Sequence, residues 1–299
     1  MKPINRKGWH KPVLLKQAID FLNISKGRNY IDATLGGGGF SQEILKRGGR
    51  VLSIEQDPEI ISLAKKHYSY CPSASWQIIK GNFAKIKEIC QKKKFSPVAG
   101  VVFDLGISSL HYFHLKKGFS FRENSFLDMR LDPTQKTTAA DIVNNLPQKE
   151  LEENLLNLVQ EKLAKNIARE IVKKRQSKPI ENTKQLTEII ESVYQKEKIF
   201  SKQHPATKTF LALRILTNQE FDNLKRGLIE SLEILIPGGR LVVISFHSGE
   251  DRIVKSFFKD QEKKNRLKIL TKKPILPSFL EIKSNPLSRS ARLRAGEKL

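Results

Sequence analysis

Three acids, each closing a short apolar run, are the residues whose spacing promises chemistry. Asp32 ends Tyr30-Ile-Asp and is followed by Ala-Thr-Leu and four consecutive glycines, Gly36 to Gly39. Glu55 ends Arg50-Val-Leu-Ser-Ile-Glu, and Asp104 ends Ala99-Gly-Val-Val-Phe-Asp. A buried strand, a turn too tight for Cβ atoms and a helix resuming at Gln42-Glu-Ile-Leu-Lys46 describe a nucleoside-binding crevice. Glu55 lies 19 residues beyond Gly36, close to the roughly 20 at which an acid on the second strand grips ribose hydroxyls. The dinucleotide fingerprint is incomplete, because Ser41 or Gln42 stands where its third glycine belongs. Asp32 also makes the turn a poor home for a diphosphate. An acid beside the glycines suits a cationic ligand, and S-adenosylmethionine carries both a sulfonium and an ammonium.

The elements that must position these acids read as strand–helix repeats. Residues 9–24 continue from His10-Lys-Pro-Val-Leu-Leu into an amphipathic helix with Leu15, Ile19 and Leu22 on one face. Pro58 opens a helix reaching about Tyr68, a third strand covers 75–80, and a basic helix follows Phe83 to Lys94. Four repeats predict a parallel, doubly wound α/β sheet, with the ligand across the carboxyl ends of its strands. The next strand, Arg240 to Phe246, comes after a helix (Phe221 to Ile236) and a stop at Pro237-Gly-Gly. About 130 residues separate strands four and five, far more than one crossover needs. The expected organisation is therefore a sheet domain from 1–109 and 209–299, interrupted by a helical insert over 110–208. Two apolar stripes mark that insert: Val159, Leu163, Ile167 and Ile171, then Leu186, Ile189, Ile190 and Val193. Segments 266–271 and 290–295 supply a closing antiparallel pair, the arrangement of class I methyltransferases rather than dehydrogenases.

Composition narrows the partners. Lysine and arginine number 54 against 31 acids, a net charge of +23, which opposes compaction and is neutralised by a polyanion such as RNA or DNA. Cys71 and Cys90 are the only cysteines, so neither a disulfide framework nor a zinc site is implied. His111 and His114 are spaced HxxH without a carboxylate or cysteine partner, and no metal is expected. The N-terminus lacks an apolar signal core, no 18-residue apolar run occurs, and the expected location is the cytoplasm, away from any membrane.

If the acceptor is an exocyclic amine of a base, its lone pair is delocalised into the ring. A hydrogen-bond acceptor on its N–H restores nucleophilicity, and Asp104 or a carbonyl beside it is the candidate. The alternative for Asp104 is a turn cap or a cofactor contact. Phe83 is placed to lie on an adenine face or to pack in the core. Phe119 and Phe121 can stack flipped-out bases beside Arg122 and Arg130, or fill the core of the insert. His204 and Arg214, in the segment rejoining the sheet, are candidate substrate contacts, and His247 either meets substrate or caps the helix beginning near Glu250. The basic face Lys162, Lys165, Arg169, Lys173, Lys174 and Arg175 is a solvated helix face or an RNA contact.

Seven segments, in order, are similar to a known family: His10-Lys-Pro-Val-Leu-Leu, Asp32-Ala-Thr-Leu-Gly-Gly-Gly-Gly, Asp104-Leu-Gly-Ile-Ser-Ser, Gly118-Phe-Ser-Phe, Leu127-Asp-Met-Arg, His204-Pro-Ala-Thr and Gly238-Gly-Arg-Leu-Val-Val-Ile-Ser-Phe-His-Ser. Together they resemble the bacterial ribosomal RNA small subunit methyltransferase H (RsmH/MraW) family. The resemblance implies a class I (Rossmann-like) fold and S-adenosyl-L-methionine as cofactor. It also implies N4-methylation of a cytidine in 16S rRNA, at the decoding region of the 30S subunit, and a helical insert that recognises substrate. The cofactor contacts it implies fall on Gly38, Gly39, Phe40, Glu55, Phe83, Asp104 and His111. Phe40 stands where the family commonly has histidine, Glu55 where it has aspartate, and Leu110-His111 where it has Pro-Gln. Gly249 replaces a usual leucine, which predicts a looser loop after His247. A homodimer is neither required nor excluded. A nicotinamide-dependent oxidoreductase and a non-catalytic RNA-binding assembly factor are the competing readings at this stage.

Overall fold

Alternate residues of the central strands face two different apolar clusters, so the sheet is covered on both sides. Tyr30, Val51, Val102, Val242 and Ile244 point into one cluster; Ile31, Leu52, Val101, Leu241 and Val243 point into the other. In the computed structural model, residues 12–68, 74–108, 110–111, 116–200 and 202–299 are described. His10, Cys71 and His114 lie outside them.

The strands are β1 (Asn29–Asp32), β2 (Arg50–Glu55), β3 (Trp76–Lys80), β4 (Val98–Asp104), β5 (Leu235–Ser245), β6 (Leu267–Ile269) and β7 (Arg292–Lys298). They form one seven-stranded sheet in the order β3-β2-β1-β4-β5-β7-β6, in which β7 alone runs antiparallel to its neighbours. This is the α/β class I methyltransferase sheet that the sequence implies. The helices before the insert are α1 (Leu15–Leu22), α2 (Gly39–Lys46), α3 (Pro58–His67) and α4 (Ile86–Lys93). The insert holds α5 (Ala139–Asn145), α6 (Gln148–Val159), α7 (Ala164–Ser177), α8 (Thr183–Lys196) and α9 (Ala206–Asn218). After it come α10 (Glu220–Ile234), α11 (Ser248–Lys263) and the short α12 (Phe279–Ser284). Residues of α1, α2 and α3 pack in the first cluster, and those of α4, α10 and α11 in the second. No helix among the described residues is long and apolar enough to cross a membrane.

The chain divides into two compact units, Met1–Leu110 with Phe221–Leu299, and His111–Glu220. The sequence reading returned the chain to the sheet domain at residue 209. In the structure α9 packs on α5, α6 and α8, which places it with the insert. Two local differences have clear causes. The stripe from Val159 to Ile171 is broken at Gln160, whose φ of 53° ends α6, so Leu163, Ile167 and Ile171 are buried by α7 while Val159 is half-buried. Pro237-Gly-Gly does not precede β5 but lies within it: Leu235 pairs with Val98 and Arg240 with Gly100, and a register shift absorbs the intervening residues.

Candidate active site

Asp32, Glu55 and Asp104 end β1, β2 and β4, three neighbours in the sheet order, so parallel pairing brings their carboxyl ends to one edge. The glycine turn is tied to that edge by hydrogen bonds. Gly36 N–H donates to Glu55 Oε2 at 3.1 Å, and the other carboxylate oxygen accepts from Gln56 N and Asp57 N at 2.8 and 3.1 Å. Asp104 N–H donates to Thr34 Oγ1 at 2.7 Å, which joins the tip of β4 to the same turn. Gly38, at φ 75°, is the N-cap of α2, and a Cβ there would lie 2.7 Å from the Tyr68 ring. At Gly39 the obstruction is Pro12, 2.5 Å away. The glycines thus serve close packing of the turn as well as ligand approach.

Asp32 is fully buried beneath this turn. Ser41 Oγ donates to its Oδ2 at 2.6 Å, Ser53 Oγ lies 2.7 Å from Ser41 Oγ, and Trp76 Nε1 donates to Ser53 Oγ at 2.7 Å. Because the indole N–H can only donate, protons in this chain point from Trp76 through Ser53 and Ser41 toward the carboxylate. Burial pushes the Asp32 carboxyl up to about 6; the Ser41 hydrogen bond opposes the rise, and the nearby Asp104 charge adds to it. Two acids that repel one another across a glycine turn fit a cationic ligand and disfavour a diphosphate. The acids at this edge therefore fit S-adenosylmethionine.

The side chains of Phe40 and Phe83 have other tasks. Phe40 is buried in the first apolar cluster, so its backbone is what remains for a ligand. Phe83 sets its ring edge-on to Phe103 at 5.4 Å and fills the space left by Gly227, as the core alternative requires. His247 caps α11. Its Nδ1 accepts from Glu250 N at 3.4 Å, and Glu250 Oε2 accepts from Phe246 N and His247 N. The expected loosening at Gly249 does not occur: this residue is inside α11, and the Phe221 ring occupies the space, 2.5 Å from where a Cβ would stand.

Within the insert, most of the residues expected to meet RNA are committed to internal contacts. Phe119 is buried, edge-on to the buried His111 ring at 5.5 Å, so it packs the insert rather than presenting a face to a base. Arg130 holds Asp128 through Nε and Nη2 at 2.6 and 3.1 Å and reaches Gln135 O through Nη1 at 2.6 Å. Arg214 makes a bidentate pair with Glu220 at 2.7 and 2.8 Å. Phe121 is the exception. It stacks on His204, with centroids 4.3 Å apart and planes 19° from parallel, and both rings are partly exposed. His204 Nδ1 accepts from Ala206 N at 3.2 Å while Nε2 lies 3.2 Å from Glu191. The motif pair around Gly118 and Leu127 is structural. Met129 N donates to Lys117 O, and Asn218 of α9 bonds Met129 O and Leu131 N.

Sequence reasoning missed the buried relay. Ser41 entered only as a failed fingerprint position, and Ser53 and Trp76 only as strand residues. Polar residues alternating with apolar ones at the middle of a buried strand, as Ser53 does, were the available signal.

The sequence model of the MraW methylase family matches residues 7–299. The chain belongs to this family. A relative from Carboxydothermus hydrogenoformans, "Ribosomal RNA small subunit methyltransferase H", is 44% identical over 97% of this chain and 98% of its own length. Relatives of the same name from Caldicellulosiruptor saccharolyticus and Persephonella marina are each 42% identical over 97% of this chain and 99% of their own. Membership removes the oxidoreductase reading and accords with the cationic ligand that Asp32 and Asp104 favour.

Proposed function

We propose that this chain transfers the methyl group of S-adenosylmethionine to N4 of a cytidine in 16S rRNA, at the decoding region of the small ribosomal subunit. The observation that carries this reading is the meeting of Asp32, Glu55 and Asp104 around the glycine turn, in a chain of the MraW family. When bound, S-adenosylmethionine supplies an electrophilic methyl on a positively charged sulfur. Gly38, Gly39 and Phe40 offer backbone, Glu55 takes the ribose hydroxyls, and Asp104 completes the cofactor contacts made by the sheet unit. Asp104 accepts a hydrogen bond from the cytidine amino group, raises its nucleophilicity and takes up or relays the proton released when the new N–C bond forms. Phe121 and His204 offer an aromatic face to substrate, whereas Phe119, Arg130, Arg214 and His247 act by holding the fold. An enzyme with this substrate works in the cytoplasm on the 30S particle.

Incubation with labelled S-adenosylmethionine and undermodified 30S subunits, followed by nucleoside mass spectrometry, is expected to give N4-methylcytidine; absence of transfer refutes the assignment. Asp104→Asn separates the two roles of Asp104. A kcat reduced about 100-fold or more, with cofactor affinity nearly unchanged, supports the proton-accepting role. A raised KM for the cofactor with kcat intact leaves Asp104 as a cofactor contact alone.

A further inference from the structure

The excess of positive charge that first suggested a polyanion is not matched by acids in one surface segment of the methyltransferase unit, between β6 and β7. Between residues 271 and 291 the sole acid is Glu281, against Lys272, Lys273, Lys283 and Arg289. Glu281 is already engaged, its Oε1 accepting Leu14 N at 2.7 Å. All four cations are exposed, and no ion pair holds any of them among the described residues. Elsewhere on the same unit exposed lysines are mixed: Lys16, Lys92 and Lys264 are paired with acids one helical turn away, while Lys65 and Lys259 have no ion pair among the described residues.

The same segment exposes large apolar side chains. Leu276, just before α12, and Phe279 and Leu280, in its first turn, are 61%, 79% and 75% exposed. Leu287 is half exposed nearby in sequence. This is not a loose tail. Ile275 and Leu293 exchange two backbone hydrogen bonds at 2.9 Å, Ser278 caps α12, and the buried Ser288 bonds Asn285 O through its hydroxyl at 2.7 Å. A backbone pinned at both ends, with apolar side chains turned outward among uncompensated cations, is a prepared surface.

We infer that the 272–289 segment is a docking surface for ribosomal RNA outside the target nucleotide. In it Phe279 stacks on an unpaired base, and Lys272, Lys273, Lys283 and Arg289 meet phosphates. The inference rests on the proposed rRNA substrate. The charge decides the occupant: a second copy of this chain would bring like charges together across a symmetric contact, whereas a polynucleotide offers both phosphates and stacking faces.

The test compares the wild-type chain with Phe279→Ala and with Lys272→Glu/Lys273→Glu, measuring affinity for undermodified 30S subunits across a salt series. Unchanged binding of S-adenosylhomocysteine and unchanged melting temperature establish that each variant is folded. Phe279→Ala is expected to weaken 30S binding about fivefold or more. The double charge reversal is expected to weaken it at least tenfold and to flatten the dependence of log affinity on log salt by about one to two units. Wild-type affinity and salt slope in both variants overturn the inference, even where methyl transfer by the wild type upholds the proposed function. A loss of sedimentation with anionic phospholipid vesicles, or a dimer-to-monomer shift, with 30S affinity intact, overturns it in favour of a membrane surface or a second copy.

Discussion

Ser41→Ala tests whether the buried relay is what keeps an acid charged beneath the glycine turn. The substitution keeps Cβ and removes one hydroxyl that donates to Asp32 at 2.6 Å and stands 2.7 Å from Ser53. At pH 8 the Asp32 carboxyl, at about 6, is ionised, and the lost bond is charge-assisted, contributing about 1.5–3 kcal/mol. At pH 5 the wild-type carboxyl is protonated, and the same deletion removes a neutral bond of about 0.5–1.5 kcal/mol. The expected loss is therefore about 2 kcal/mol at pH 8 and about 1 kcal/mol at pH 5. Urea unfolding followed by Trp76 fluorescence in a Trp9→Phe background reports it, since the indole is the far end of the relay. Equal losses at the two pH values, or none at either, refute the reasoning.

Four further outcomes follow from the site and its surroundings. Burial raises the Asp32 carboxyl from 3.8 to about 6, so its contribution to stability is full below about 4 and lost as pH rises through 6, on the order of 3 kcal/mol in all. A cationic ligand favours the ionised form, so calorimetry should show S-adenosylmethionine affinity falling about tenfold between pH 7 and pH 5, with a flat profile in Asp32→Asn. Glu55→Ala removes the acceptor of three backbone N–H groups and should weaken cofactor binding by about 1–3 kcal/mol, read by calorimetry at pH 8. Gly249→Leu drives a side chain into the Phe221 ring and should destabilise the fold by about 1–3 kcal/mol in urea. Adding Phe221→Ala should recover at least half of that loss, and strict additivity of the two changes would count against the contact.

The sheet was legible because its signals are local. Each early strand alternates or runs apolar for a few residues and stops at an acid or a glycine, and β2 begins and ends where its residues indicate. The insert's exit was less legible: α9 carries apolar residues on all sides, and only its packing on α5, α6 and α8 assigns it to the insert. The meeting of three strand-end acids with a run of glycines could be read from their spacing. The substrate side could not, because an arginine or phenylalanine looks the same in sequence whether it faces RNA or a neighbour. Arg130 and Arg214 each have a carboxylate within seven residues, at Asp128 and Glu220, and that proximity was the warning. His247 similarly had Glu250 three positions on, the spacing of a capping box.

Strand order has a consequence for synthesis. β4 pairs on one side with β1 and on the other with β5, which begins at Leu235, after the whole insert. At roughly 5–20 residues per second, a ribosome needs on the order of 10 s to make the stretch between them. For that interval the nascent half-sheet carries β4 as an open edge rich in valine, and α1 lacks the later strands it packs on. Until β5 is made, that edge is the part of the nascent chain most open to pairing with another chain.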